Sequence, residues 1–383
     1  MENWNKWILL ASSVTLSLAL GEVFVRISLG DQIVLFPRYH ATATYGEFTI
    51  RRLRPHSTFW HTSVDGSWLF VVNEQGFRDN RDFSYDRNGD GLRVVVVGDS
   101  HTQGFEARQD HTYAAVIERY LDTRGQESEV INAGVSGFGT AEAAVFLEHE
   151  GFAYNPDVVV LGFYANDFED NIKSDLFRLK NNELASSKTK HAPGTTVLEL
   201  HNAVAPLRWL SENSYFYSLM MNTLWELAKS ALLSKKRGEL TEWAVATREA
   251  DDYEMRLTTR LIEHIYHLCK IGGIMFILVD IPQAGEPGGF ASSIPSHLLA
   301  EFERSSDALI RSDEVLSQYR NLAEFHVPHG QRHISELSHM LLGVAVAQAI
   351  QGLVAPDKVA DGSTTALSAQ MPQAQRPTGR PHP

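Results

Sequence analysis

The stretch Arg93-Val94-Val95-Val96-Val97-Gly98-Asp99-Ser100-His101-Thr102-Gln103-Gly104 decides the fold. An uninterrupted β-branched run of this kind has the character of a strand buried on both faces, as in the middle of a parallel sheet. It stops abruptly at Gly-Asp-Ser. Open α/β sheets keep their chemistry just beyond the carboxyl ends of their strands, so Ser100 stands where a nucleophile belongs. Turn chemistry gives a plainer reading of the same three residues, in which Asp99 or Ser100 merely caps the following helix. On this stretch alone the two readings are equal.

A serine hydroxyl is a weak nucleophile until a base takes its proton and donors hold the developing oxyanion, so those groups are sought downstream. Ile131-Asn132-Ala133-Gly134-Val135-Ser136-Gly137-Phe138-Gly139-Thr140 follows a second short strand, and its glycines allow close backbone approach with free N–H groups. A third buried strand, Pro156 to Tyr164, ends in Ala165-Asn166-Asp167, which offers an amide donor. Near the end comes His333-Ile334-Ser335-Glu336-Leu337-Ser338-His339, leading into an apolar helix from Met340 to Leu353. A histidine there is a candidate base.

This order of blocks resembles the SGNH (GDSL-like) hydrolase superfamily, in its membrane-anchored bacterial form, over roughly residues 70 to 353. The resemblance implies a flavodoxin-like α/β fold, a doubly wound and mostly parallel sheet flanked by helices. It makes Ser100 the nucleophile and His333 the general base, with an oxyanion hole from the Ser100 and Gly137 backbone N–H groups and the Asn166 side chain. Two positions depart from the family pattern. An aspartate that usually stands three residues before the histidine, orienting the imidazole, is here Gly330. His101 replaces the leucine that often follows the serine, and it either tunes the pocket or is simply exposed at a helix start. Asp99, His101, Asp167 and His329 are candidates for tuning or substrate contact, and His326 and His329 are alternatives to His333 as base. No metal and no cofactor is expected.

The composition agrees with this reading. At 383 residues the chain has room for one α/β domain with extensions. A net charge of −13 argues against nucleic acid, which calls for a basic face. The single cysteine, Cys269, excludes an intrachain disulfide and sits in an amphipathic helical pattern as a core residue.

After Lys6 the chain is apolar and uncharged to Leu20, and the run extends to Leu29 with only Glu22 and Arg26 interrupting it. The shorter count suits a signal peptide and the longer one suffices to cross a bilayer. With no small-x-small cleavage site, an uncleaved anchor over residues 1–29 is expected, against a cleaved signal or a buried soluble helix. By analogy with the resembled family, the catalytic domain lies outside the cytoplasm, periplasmic or extracellular.

Residues 30–90 form an aromatic-rich extension, including Phe59-Trp60-His61 and Trp68 to Arg78, expected to pack on the domain edge rather than to stack sugars. Asp86-Arg87-Asn88-Gly89-Asp90-Gly91 matches the opening of a calcium loop, but its twelfth position is Val97, so a polar turn is expected. The hydrolase-like domain spans residues 91–353, with helices expected at Thr112 to Thr123, Thr140 to Glu150 and about Asp251 to Lys270 and a strand at Ile274 to Asp280. Within it the strand-helix rhythm breaks over about residues 171–250. That insertion holds a polar loop near Lys180 to Lys190, the aromatic helical segment Tyr215 to Trp225 and the basic Lys235-Lys236-Arg237. Two roles fit it: a cap over the pocket, or an amphipathic helix on a membrane. Residues 354–383, rich in Pro, Ala, Gln, Ser and Thr, are expected to be a disordered tail.

Together these readings give a membrane-anchored serine esterase, working through an acyl-enzyme at Ser100 on an acyl group such as acetyl on an envelope polysaccharide. The alternatives are an O-acetyltransferase using the same residues, and a non-catalytic carbohydrate-binding or assembly protein that keeps the scaffold.

Overall fold

The structure, a computed structural model, describes residues 2–30, 33, 35, 40–87, 89, 91–187, 203–243, 250–286, 288–329 and 332–354. Gly330, Asn88 and Asp90, the end of the polar loop at 188–190, and the tail from Ala355 onward lie outside the described residues.

Five parallel strands form the central sheet in the spatial order Ala308–Ile310, Met275–Asp280, Val158–Phe163, Leu92–Gly98, Ser128–Asn132. Numbered along the chain, that is the flavodoxin-like order 2-1-3-4-5, and Leu92–Gly98 is the strand whose successors pair on opposite sides of it. Ser100 therefore emerges at the topological switch point, where helices on the two faces diverge and leave a crevice.

The valine run explains itself by burial. Val94, Val95, Val96 and Val97 are each 0% exposed, and with a period of two they feed two separate cores. Val94 and Val96 join Val160, Ile277 and Val279 under the helices Tyr113–Thr123 and Glu336–Val354. Val95 and Val97 join Val159, Leu161, Phe276 and Leu278 on the other face, with the helices Thr140–His149 and Ala250–Ile271. Cys269 belongs to this second core.

Before the sheet come the apolar helix Glu2–Leu29 and two antiparallel hairpins, His40–Tyr45 with Phe48–Leu53 and Thr58–Ser63 with Gly66–Val71. Phe59, Trp68 and Phe70 are buried in the domain core, so these aromatics serve packing rather than an open sugar platform. In the insertion, the polar stretch from Lys180 begins as a hairpin, Phe177–Lys180 with Glu183–Ser186, not a loop. Asn181 and Asn182 turn it with φ of +54° and +65°, the two-residue asparagine geometry that sequence reading passed over. Helices Ala205–Asn213 and Tyr215–Trp243 follow, the second much longer than the aromatic segment suggested.

Gly98 is where the backbone breaks from strand to helix. Its φ of +150° disfavours any side chain, and a Cβ there would lie 2.8 Å from the Gly162 carbonyl oxygen. Gly98→Ala is expected to destabilise the detergent-solubilised protein by about 2–4 kcal/mol, as strain and overlap add. An unchanged thermal unfolding midpoint would contradict this account of the turn.

Candidate active site

The turn reconciles the two readings of Gly-Asp-Ser, because Asp99 and Ser100 divide the roles. Asp99 is the N-cap of the short helix Ser100–Gln103, its carboxylate accepting from the His101 backbone N–H at 2.8 Å. Ser100, first in the helix, is left with its hydroxyl outward. Burial raises the Asp99 pKa, while hydrogen bonds from the His101 and Thr102 backbone and the Asn166 side chain oppose that rise.

His333 stands opposite, its Nε2 2.9 Å from Ser100 Oγ. On the far side of the ring, Nδ1 is 3.4 Å from Oε2 of Glu106, a residue that the family pattern did not point to. Both side chains are closed to solvent, at 7% and 0% exposure. The Glu106 carboxylate also faces His61 Nε2 at 3.9 Å, with both side chains fully buried. Burial acts most strongly on Glu106 and pushes its pKa up, but hydrogen bonding and charge from His333 and His61 together outweigh it and hold the group at about 2. Glu106 therefore stays ionised and lies on the side of His333 where an orienting carboxylate belongs. It is the residue that sequence reasoning missed. The available signal was a lone charge inside Gly104-Phe105-Glu106-Ala107, six residues past the serine, with Glu106 itself at a φ of +63°.

Other candidates sort clearly. Gly137 occupies a turn at φ +82°, and a Cβ there would overlap the Arg51 guanidinium. Arg51 comes from the first hairpin, donates to the Ser136 carbonyl at 2.7 Å and is half-buried beside Gly137, so the extension contributes to the site as well as packing on it. Burial lowers its pKa, with the charges of Glu142 and Asp170 opposing. Asn166 precedes the helix Asp167–Ser174, and its Oδ1 is buried without a hydrogen-bond partner. Ser100, Gly137, Asn166 and His333 all line one cavity of about 950 Å³, within the range of small-molecule sites. His101 lines it too and is 4% exposed, which removes the exposed-surface alternative. Its ring lies 4.7 Å from that of His333, and burial, followed by the charges of His333, His326 and His339, lowers its pKa well below the usual imidazole value.

Three candidates fall away from substrate. Asp167 is buried behind the cavity wall, accepting from the Thr140 hydroxyl at 2.9 Å. His329 turns outward and pairs with Asp65 at 3.1 Å, its side chain 62% exposed. His326 Nε2 is spent on the Pro282 carbonyl at 2.9 Å. Neither histidine reaches Ser100.

A sequence model of the GDSL-like Lipase/Acylhydrolase family matches residues 96–252. That stretch is similar to a GDSL-like acylhydrolase domain. The match begins inside the strand that delivers Ser100. No curated protein matches the chain by sequence. Among solved structures it is similar to a lipase/acylhydrolase from Enterococcus faecalis, at 18% identity over 68% of this chain and 96% of that one, TM-score 0.36. It is also similar to an acetyl xylan esterase, at 15% identity over 69% and 100% of the two chains, TM-score 0.37. A two-domain esterase active on acetylated mannans matches at 14% identity over 69% of this chain and 50% of that one, TM-score 0.38.

Glu106→Gln keeps the shape but removes the charge facing His333, so kcat on p-nitrophenyl acetate is expected to fall by about 10²–10⁴-fold. A loss under threefold would contradict the orienting role. The same variant carries a pH signature. The folded pKa of about 2 lies below the ordinary 4.5, so Glu106 contributes stability above pH 4.5 that is lost as pH falls toward 2. Thermal unfolding scans should show wild type losing more stability than the variant across that interval.

Proposed function

We infer that the protein is a serine esterase that cleaves an acyl ester through an acyl-enzyme on Ser100. The observation that carries this reading is the line of contacts from Ser100 Oγ through the two ring nitrogens of His333 to the Glu106 carboxylate, at the wall of the large cavity. In the first half-reaction His333 Nε2 takes the hydroxyl proton as Ser100 Oγ bonds to the ester carbonyl carbon. The oxyanion is held by the Ser100 and Gly137 N–H groups and the Asn166 amide. Collapse breaks the bond to the leaving alcohol, which receives the proton from His333. Water then repeats the sequence, with His333 as base, and frees the acid. Glu106 holds the ring and balances the imidazolium in both halves.

Arg51, Glu142, Glu169, Asp170 and Lys173 make one wall of the cavity polar, which suits a glycan hydroxyl bearing an acetyl group. An O-acetylated envelope glycan, free or carried on a lipid, is accordingly the proposed substrate class. The apolar helix Trp4–Leu29 is read as a retained anchor, with the catalytic domain on the periplasmic or extracellular side. The non-catalytic alternative rested on the empty acid position at Gly330, and Glu106 removes that ground.

The test is direct. The purified protein is expected to hydrolyse p-nitrophenyl acetate and to take a fluorophosphonate label on Ser100, with Ser100→Ala losing both. Hydrolysis that survives Ser100→Ala, or a protein that neither hydrolyses nor labels, would overturn the reading.

A further inference from the structure

The insertion that lines the active-site cavity docks on the N-terminal apolar helix. A bilayer core of about 30 Å takes about 20 helical residues at about 1.5 Å each, so a span beginning near Trp4 is used up at roughly Val23. At that level the helix docks on the insertion. Gly21 lets the Phe216 ring lie against it, a Cβ there standing 3.3 Å from the ring. Glu22 then caps the helix Tyr215–Trp243 from outside it, accepting from Ser214 Oγ at 2.7 Å, the Phe216 N–H at 2.9 Å and the Tyr215 N–H at 3.1 Å. One turn on, Arg26 donates to the Asn213 carbonyl at 2.6 Å and lies over the Tyr215 ring. A signal peptide destined for removal has no need of such joints.

The capped helix then presents two apolar stripes. Met221, Trp225, Ala228 and Leu232, at helical spacing, line the cavity that holds Ser100. One position back, Met220, Leu224 and Leu227 form a second stripe, 43%, 54% and 62% exposed, with Trp209 of the preceding helix 61% exposed beside the same joint. Leu224 belongs to both, bordering the cavity and facing outward. An apolar stripe that begins where a membrane span ends is continuous with the bilayer surface.

We propose that Trp209, Met220, Leu224 and Leu227 rest in the bilayer interface and open the Ser100 cavity to it, so that the ester cleaved is carried on the polar head of a membrane-resident amphiphile. This rests on the esterase reading for its substrate, though not for its surface. The polar wall around Arg51 and Lys173 takes the head, while the Met221 and Trp225 side meets the apolar chain.

Two measurements test it. Cys269 is the only cysteine and is buried, so a nitroxide on Leu227→Cys reports a single site. In phosphatidylglycerol–phosphatidylethanolamine vesicles, the full chain is expected to show this label more accessible to oxygen than to a water-soluble nickel complex. The reverse order overturns the surface, whatever the enzyme does. Hydrolysis is then compared between 6-O-acetylglucose in solution and 6-O-acetyl hexadecyl glucoside in the same vesicles. The vesicle substrate is expected to be preferred at least tenfold in kcat/KM. The combined variant Trp209→Glu, Met220→Glu, Leu227→Glu should lose that preference while retaining p-nitrophenyl acetate hydrolysis. Equal rates on both sugars, or a preference that survives the variant, overturns the substrate class. Failure on all esters, p-nitrophenyl acetate included, overturns the esterase reading instead.

Discussion

A carboxylate taken out of water costs several kcal/mol unless charge or hydrogen bonding replaces its hydration. Glu106 is such a group, fully buried with His333 on one side and His61 on the other. That arrangement fixes much else. It sets the carboxylate 3.4 Å from one ring nitrogen of His333, leaves the other 2.9 Å from Ser100 Oγ, and makes the second hairpin, which carries His61, part of the site's surroundings. Phe70 and Phe105 pack against His61, and Phe105 also packs against His333, so the pair lies among buried aromatic rings.

The sheet was legible because its strands are buried on both faces. The valines from Val94 to Val97 read as a central strand, and Gly-Asp-Ser read as its exit into a helix, with Ser100, Gly137, Asn166 and His333 in the expected order along the chain. What was not legible depended on contacts between distant segments. His61 and Arg51 reach the site from hairpins that register only as aromatic, basic sequence, and no local periodicity says which of their side chains point inward. Glu106 was invisible for a different reason. An acid placed after the serine, rather than before the histidine, reaches the same side of the ring by tertiary folding alone. The hairpin at Asn181-Asn182 was missed although its turn chemistry was present, because the surrounding polar residues masked the two short strands.

The insertion joins the two halves of the account. Its long helix is capped by Glu22 of the N-terminal apolar helix at one end and lines the Ser100 cavity further along. A single element thus couples the position of the N-terminal apolar helix to the shape of the pocket. Natural selection of an ester by such a site depends less on the relay, which is indifferent to what the acyl group is attached to, than on which wall the rest of the substrate meets.

The central claim is that Glu106, not a residue near Gly330, holds the His333 ring by its Nδ1 proton. Proton NMR of the protein labelled with ¹⁵N-histidine measures this directly. The account predicts a resonance well downfield of the amide envelope, coupled to His333 Nδ1, that is present in the native protein and absent from both His333→Ala and Glu106→Gln. A resonance of the same position and intensity in Glu106→Gln would contradict it, and would place the orienting group elsewhere.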